Sequence, residues 1–156
     1  MYSTYRHIAT HLANAIPDLQ WIDRDKGQLD NPENFHSVLT PGLLLGFDDV
    51  EWEPGTRGNQ TGYATMTASL VFRLPASTYL GNWEQHPEYE QLTQALYLAL
   101  LDCPGVGDRR ASSDAFTDAF YTATQSFDLT IYQAVPVRTI AKPNPDIQAT
   151  LKFPAP

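Results

Sequence analysis

The chain reads as a single α+β domain, a four- to five-stranded, mostly antiparallel or mixed sheet with two helices packed on one face. Three observations predict this. Residues 3–16 and 87–101 each carry apolar side chains at three- and four-residue steps, the spacing that draws one stripe along a helix. Residues 62–74 alternate apolar and polar side chains without a break, the period of a half-buried strand. The length of 156 residues is that of one domain. The order helix, three strands, helix, one or two strands then layers helices on a sheet.

The first helix puts Tyr5, Ile8, Ala9, Leu12 and Ile16 on its stripe. Pro17 ends it, because proline cannot donate the next backbone hydrogen bond. A short strand from Leu19 to Asp25 shows Trp21 and Asp23 on one face and Ile22 and Arg24 on the other, and Gly27 closes it. Residues 28–38 read as an exposed connection. Pro41-Gly42 opens a strand expected to reach Glu53, and its run Leu43-Leu44-Leu45 is apolar on both faces, the mark of a central strand. Residues 54–62 hold Pro54, Arg57, Asn59, Gln60 and three glycines, and read as a long polar hairpin loop.

The strand over residues 62–74 turns Ala64, Met66, Ala68, Leu70, Phe72 and Leu74 toward the core, and Pro75 ends it. Pro87, Glu88 and Glu90 suit the first turn of the second helix, where a missing donor costs nothing and carboxylates face the positive end of the dipole. Its stripe is Leu92, Ala95, Leu96, Ala99 and Leu100, and Pro104-Gly105 terminates it. Residues 108–118 fit a short strand and an irregular segment equally. The last strand, residues 121–135, places Ala123, Phe127, Leu129, Ile131 and Val135 on one side. Leu70, Phe72, Leu96, Phe127 and Leu129 are the expected shared core. Residues 1–135 form the domain, and residues 136–156, with Pro143, Pro145, Pro154 and Pro156, a proline-rich tail.

Composition narrows the function. Acidic residues outnumber Lys and Arg by 18 to 10, for a formal net charge of −8. A nucleic-acid surface wants the opposite balance, since phosphate neutralisation supplies most of the non-specific affinity, and Arg109-Arg110 is the only adjacent basic pair. The single cysteine, Cys103, excludes an intrachain disulfide. The N-terminus, with His7, His11 and Arg6, lacks the apolar core of a signal peptide, and no apolar run approaches membrane-spanning length. A soluble, intracellular protein with no membrane partner is the expectation.

Few residues suggest chemistry. His7 and His11 stand four apart on the first helix, a metal-compatible spacing that lacks a third ligand and the adjacent glutamate of zinc proteases; two exposed helix-edge histidines are the plainer reading. His36 and His86 stand alone in loops. Cys103 sits at a helix end, where the dipole raises a thiol pKa, and reads as a small packing residue. From Asp23 to Glu53 the chain carries eight carboxylates. If their strands were neighbours, Asp23, Asp25, Asp49, Glu51 and Glu53 could hold magnesium as nucleases and phosphatases do; a solvated acidic face is the simpler account. Gly55, Gly58 and Gly62 have the wrong spacing for a nucleotide fingerprint. No catalytic residue, cofactor or metal is assigned. Trp52, Tyr63, Tyr79, Trp83 and Tyr89 fall in or beside edges and loops, and suit a protein interface.

Three stretches carry a resemblance: Leu19 to Gln28 (LQWIDRDKGQ) after an amphipathic helix; Pro41 to Phe47 (PGLLLGF) followed by Trp52 and the Gly58 to Gly62 turn (GNQTG); and the strand over 62–74 leading into the helix at Tyr89 to Leu101. Together, over about residues 3–135, they resemble the small tail terminator, or tail completion, proteins of long-tailed bacteriophages and prophages, particularly those of Bacteroidetes-type prophages. The resemblance implies an α/β or α+β domain assembled into a hexameric ring that caps the tail tube and meets the head-completion proteins. It implies a life in the host cytoplasm during assembly and then in the virion tail or neck. Residues of the hairpin (Arg57, Asn59, Gln60, with Trp52 and Tyr63 beside it) and of the connection (Gln28, Asn31) would then meet neighbouring subunits or the tube protein. An acidic lumen would let DNA pass without sticking. A head–tail connector of the neck, an unrelated small binding module and a metal-dependent enzyme built on the acidic strands are the other readings.

Overall fold

In the computed structural model of the chain the described residues are 2–30, 38–74, 87–117 and 119–134. Helix α1 (Tyr2–Ala15) leads into strands β1 (Trp21–Arg24), β2 (Gly42–Phe47) and β3 (Glu51–Pro54). A 3-10 turn (Thr56–Gly58) joins β3 to β4 (Gln60–Arg73), and α2 (Pro87–Leu101), β5 (Val106–Phe116) and β6 (Phe120–Gln133) complete the order. The six strands make one sheet, β1-β2-β4-β6-β5, with β3 also beside β4. The β1–β2 pair is parallel and the others antiparallel. This is a single α+β domain with both helices on one face of a mixed sheet.

The helical stripes and the inward parity of the strands meet as their spacing requires. Ile8, Leu12 and Ile16 join Leu96, Ala99 and Leu100 of α2 over Leu43 and Leu45 of β2 in one buried cluster. The expected core residues Leu70, Phe72, Leu96, Phe127 and Leu129 all belong to it. His11 does not sit free on the helix edge: its Nε2 lies 2.8 Å from the Ala99 carbonyl oxygen and ties α1 to α2. Cys103 is buried in the same cluster, and burial pushes its thiol pKa up.

Three expectations change. The strand begun at Gly42 does not run unbroken to Glu53. Phe47 pairs with Met66 and Glu51 with Tyr63, so three residues, 48–50, oppose two, Ala64 and Thr65. The extra residue is a bulge. Residues 54–62 are not a long loop either: Trp52, Glu53 and Pro54 pair with Gly62, Thr61 and Gln60. Only residues 55–59 remain as loop, closed by Gly55 N–H donating to the Asn59 carbonyl at 2.7 Å with Gly58 at φ +82°. Gly62 serves close packing instead, since a Cβ there would lie 2.6 Å from Val50 Cγ1 and 2.9 Å from Trp52 Cζ3. Residues 108–118 fall largely within β5, an 11-residue edge strand exposed along nearly its whole length. These changes bring the strand total among the described residues to six. Residues from 135 onward, with Val135 and the proline-rich tail, lie outside the described residues.

The face away from the helices divides in two. At one end Val38, Leu44, Val71 and Phe120 form a small second cluster with Trp21 and Leu29 against it. Elsewhere Thr67 and Ser69 of β4 stand opposite Ser126 and Thr124 of β6, and the Ser69 and Thr124 hydroxyls share a hydrogen bond of 2.9 Å.

Candidate functional site

Large aromatic side chains collect at the hairpin end of the sheet. Trp52 is 42% exposed, Tyr63 45% and Tyr132 79%. Trp52 lies opposite Gly62, on the helix side, where the missing Cβ gives its ring a seat. Tyr63 pairs with Thr130 and Thr61 with Tyr132, which makes Tyr63 and Tyr132 diagonal neighbours on the other face, within reach of each other. The sheet end is thus rimmed by aromatic rings on both sides. Tyr132 was legible only as the outward partner of Ile131 on the last strand, a single exposed tyrosine in a run read for its inward residues.

Of the polar interface candidates, Asn59 and Gln60 are exposed at the turn. Arg57 belongs to the turn by its backbone, and its side chain lies outside the described residues, as do Asn31, His36, Tyr79, Trp83 and His86. Gln28 is committed elsewhere. Its Nε2 donates to the Arg24 carbonyl at 2.6 Å, and its Oε1 accepts from Lys26 N–H at 2.7 Å. The amide closes the turn after β1.

The acidic strands are not neighbours. Asp23 lies beside Leu44, which pairs with Ser69, whereas Glu51 pairs with Tyr63. The separation along β4 is six residues, roughly 20 Å at 3.3 Å per residue. Asp23 accepts from Arg24 N–H at 2.7 Å and meets Lys26 Nζ at 3.3 Å. Asp48, Asp49 and Glu51 border an open depression with Asp128, and Asp128 is paired with Arg110 at 2.7 Å. Among the described residues no three His, Cys, Asp or Glu side chains come together to hold a metal ion.

A cleft of about 530 Å³ opens between α2 and β5. Its floor is Gln125, 1% exposed and the single buried amide or charged side chain among the described residues. Gln125 Nε2 donates to the Thr93 carbonyl at 3.0 Å, and its Oε1 accepts from Arg109 at 3.4 Å. The Arg109 guanidinium lies 4.2 Å from the Tyr97 ring centroid, a cation–π distance. Arg110 turns the opposite way, to Asp128 on the hydroxyl face, so strand alternation splits the one adjacent basic pair between two faces. At the other end of the cleft Tyr121 stacks on Tyr89 at 5.6 Å and meets Phe116 at 4.9 Å. The Tyr121 phenol is pushed up to about 12 by burial first, then by the nearby Asp114 carboxylate. The sequence signal for this cleft is Gln125 itself, a polar residue at an inward position between Ala123 and Phe127.

No helix among the described residues is long and apolar enough to cross a membrane. Neither a protein-family model nor a curated protein matches the chain.

Proposed function

We propose that the protein is a structural component of a phage or prophage tail. In this reading it is a tail terminator that assembles head to tail into a ring of six, caps the tail tube and presents its other side to a head-completion or neck protein. It acts without cofactor or metal and performs no catalysis. It works in the host cytoplasm during assembly and ends in the virion.

The observation that carries the reading is the open sheet. One edge is β5; the other is formed by β1 and β3, and the aromatic rim of Trp52, Tyr63 and Tyr132 adjoins the β3 side. A ring needs two different patches that meet on neighbouring copies, and two chemically distinct sheet edges supply such a pair. Rigid aromatic rings give contact area at low rotamer cost. The net charge of −8 favours a lumen that does not retain DNA.

The test mixes the protein with the polymerising tube protein encoded beside it and measures tube length by electron microscopy. Shortened tubes with a ring at one end, and loss of capping in Trp52→Ala and Tyr132→Ala variants that remain folded, support the reading. Tubes of unchanged length with no association at micromolar concentration overturn it and favour the neck connector, which would bind head-completion protein but not tube.

A further inference from the structure

We propose that the cleft between α2 and β5 is a binding site for a cationic side chain, Lys or Arg, of a partner polypeptide laid in extended form along the free edge of β5. The proposal concerns a different surface from the aromatic rim and does not rest on the tail reading; it competes with the ring at this edge, where a neighbouring copy would otherwise lie.

Four features converge. First, among the described residues β5 is an edge strand with β6 on one side only, and it is exposed from Gly107 to Phe116. An extended segment can therefore add to it through main-chain hydrogen bonds, with specificity supplied by pockets for alternate side chains. Second, the cleft opens directly beside that edge, lined by Ser112 and Asp114 of β5 and by Glu90 of α2. Third, its deep wall at this end is aromatic: Tyr121 stacks on Tyr89, which in turn lies 4.3 Å from Phe72. Aromatic faces hold the alkyl stem and the charge of a Lys or Arg side chain.

Fourth, the charges are separated in the way a cation requires. Glu90 and Asp114 stand at the Tyr89–Tyr121 end, while Arg109 is drawn to the Tyr97 end by its ring contact and by Gln125. Arg109 and Asp114 sit opposite Phe127 and Ala123, four residues apart on β6, roughly 13 Å at 3.3 Å per residue. Asp114 lines the cleft together with Tyr121. The positive end of α2 opposes a cation here, but Glu88 and Glu90 lie in its first turn and outweigh a half charge.

The experiment uses the full chain and two capped seven-residue peptides of Ser, Thr and Val, one with a central arginine and one with norleucine there. Affinity is read by fluorescence polarisation and the site by amide shifts in an NMR titration. The arginine peptide is expected to bind at least ten times more tightly than the norleucine peptide, to shift the amides of residues 111–116, and to weaken with salt. Asp114→Asn and Glu90→Gln, each checked for an unchanged melting curve, should each lower its affinity severalfold, while Trp52→Ala should leave it unchanged. Equal affinity for the two peptides, shifts centred on the hairpin, or no binding at millimolar peptide overturns the proposal. So does a concentration-dependent dimer whose β5 amides are already protected, since a second copy would then occupy the edge.

Discussion

Replacing Phe127 by alanine tests the arrangement of the sheet most sharply, because β6 carries its own control. Phe127 is 0% exposed, pairs with Met66 across the sheet and stacks on Tyr97 of α2 with centroids 6.4 Å apart. Its truncation removes a buried ring where strand and helix clamp it on two sides, so collapse into the void is hindered. The expected cost is about 3–5 kcal/mol, transfer energy plus cavity. At about 2–4 °C per kcal/mol for a chain of this size, the melting temperature should fall by about 6–20 °C. Five residues on, at the opposite parity, Tyr132 points to solvent, and Tyr132→Ala should stay within about 0.5 kcal/mol. Phe127→Leu should cost less than about 1.5 kcal/mol, because it keeps most of the volume. Urea unfolding followed by far-UV circular dichroism gives all three numbers, with an unchanged m-value showing that the unfolded reference has not moved. A Phe127→Ala cost under about 1 kcal/mol, or a Tyr132→Ala cost equal to it, would refute the inward parity of β6 and with it the placement of α2.

Stability should fall as pH rises through the window from about 10 to about 12. The folded-state pKa of Tyr121 is raised to about 12 against an ordinary value near 10, so its contribution is complete below pH 10 and is lost above. Tyr5, Tyr89 and Cys103 are also raised, chiefly by burial, and so Tyr121→Phe should flatten the alkaline fall without abolishing it in a pH series of melting curves. Gly62→Ala should destabilise by about 1–3 kcal/mol by overpacking against Val50 and Trp52, with a change in Trp52 emission; an unaltered spectrum and stability would show that the ring does not lie there. His11→Ala should cost about 1 kcal/mol through loss of its bond to the Ala99 carbonyl, measured by urea unfolding, whereas His7→Ala should cost almost nothing.

Most of the fold was legible because its strongest elements use one rule each. The stripe from Tyr5 to Ile16 and the alternation from Ala64 to Leu74 report burial on one side, and burial is what holds them in place. The parts that were not legible depend on pairing. Nothing in Leu43 to Glu53 marks where one residue slips out of register, because the slip is defined by Ala64 and Thr65 on another strand. Strand β5 shows no alternation because neither of its faces is deeply covered. Of the site, Trp52 and Tyr63 stood out as aromatics beside a turn, whereas Tyr132 needed the register of β6 to bring it to them. The three glycines read as part of a loop; at Gly62 the missing side chain instead makes room for a ring. Gln28 looked available, and the turn after β1 uses its amide.

The extra residue between β2 and β3 acts as a phase shifter. Side chains of a strand point to alternate faces, so a count that is odd on one strand and even on its partner reverses which residues face which layer. Leu43 and Leu45 reach the helices from odd positions, and Trp52 points to the same face of the sheet from an even one. The same step sends Glu51 and Glu53, opposite Tyr63 and Thr61, to the hydroxyl side. One residue thus lets a single continuous stretch obey two incompatible sequence patterns along one partner strand. Removing any one of residues 48–50 would not simply shorten a loop. It would exchange the tryptophan with the glutamates, turning charge toward the apolar layer and the indole toward water.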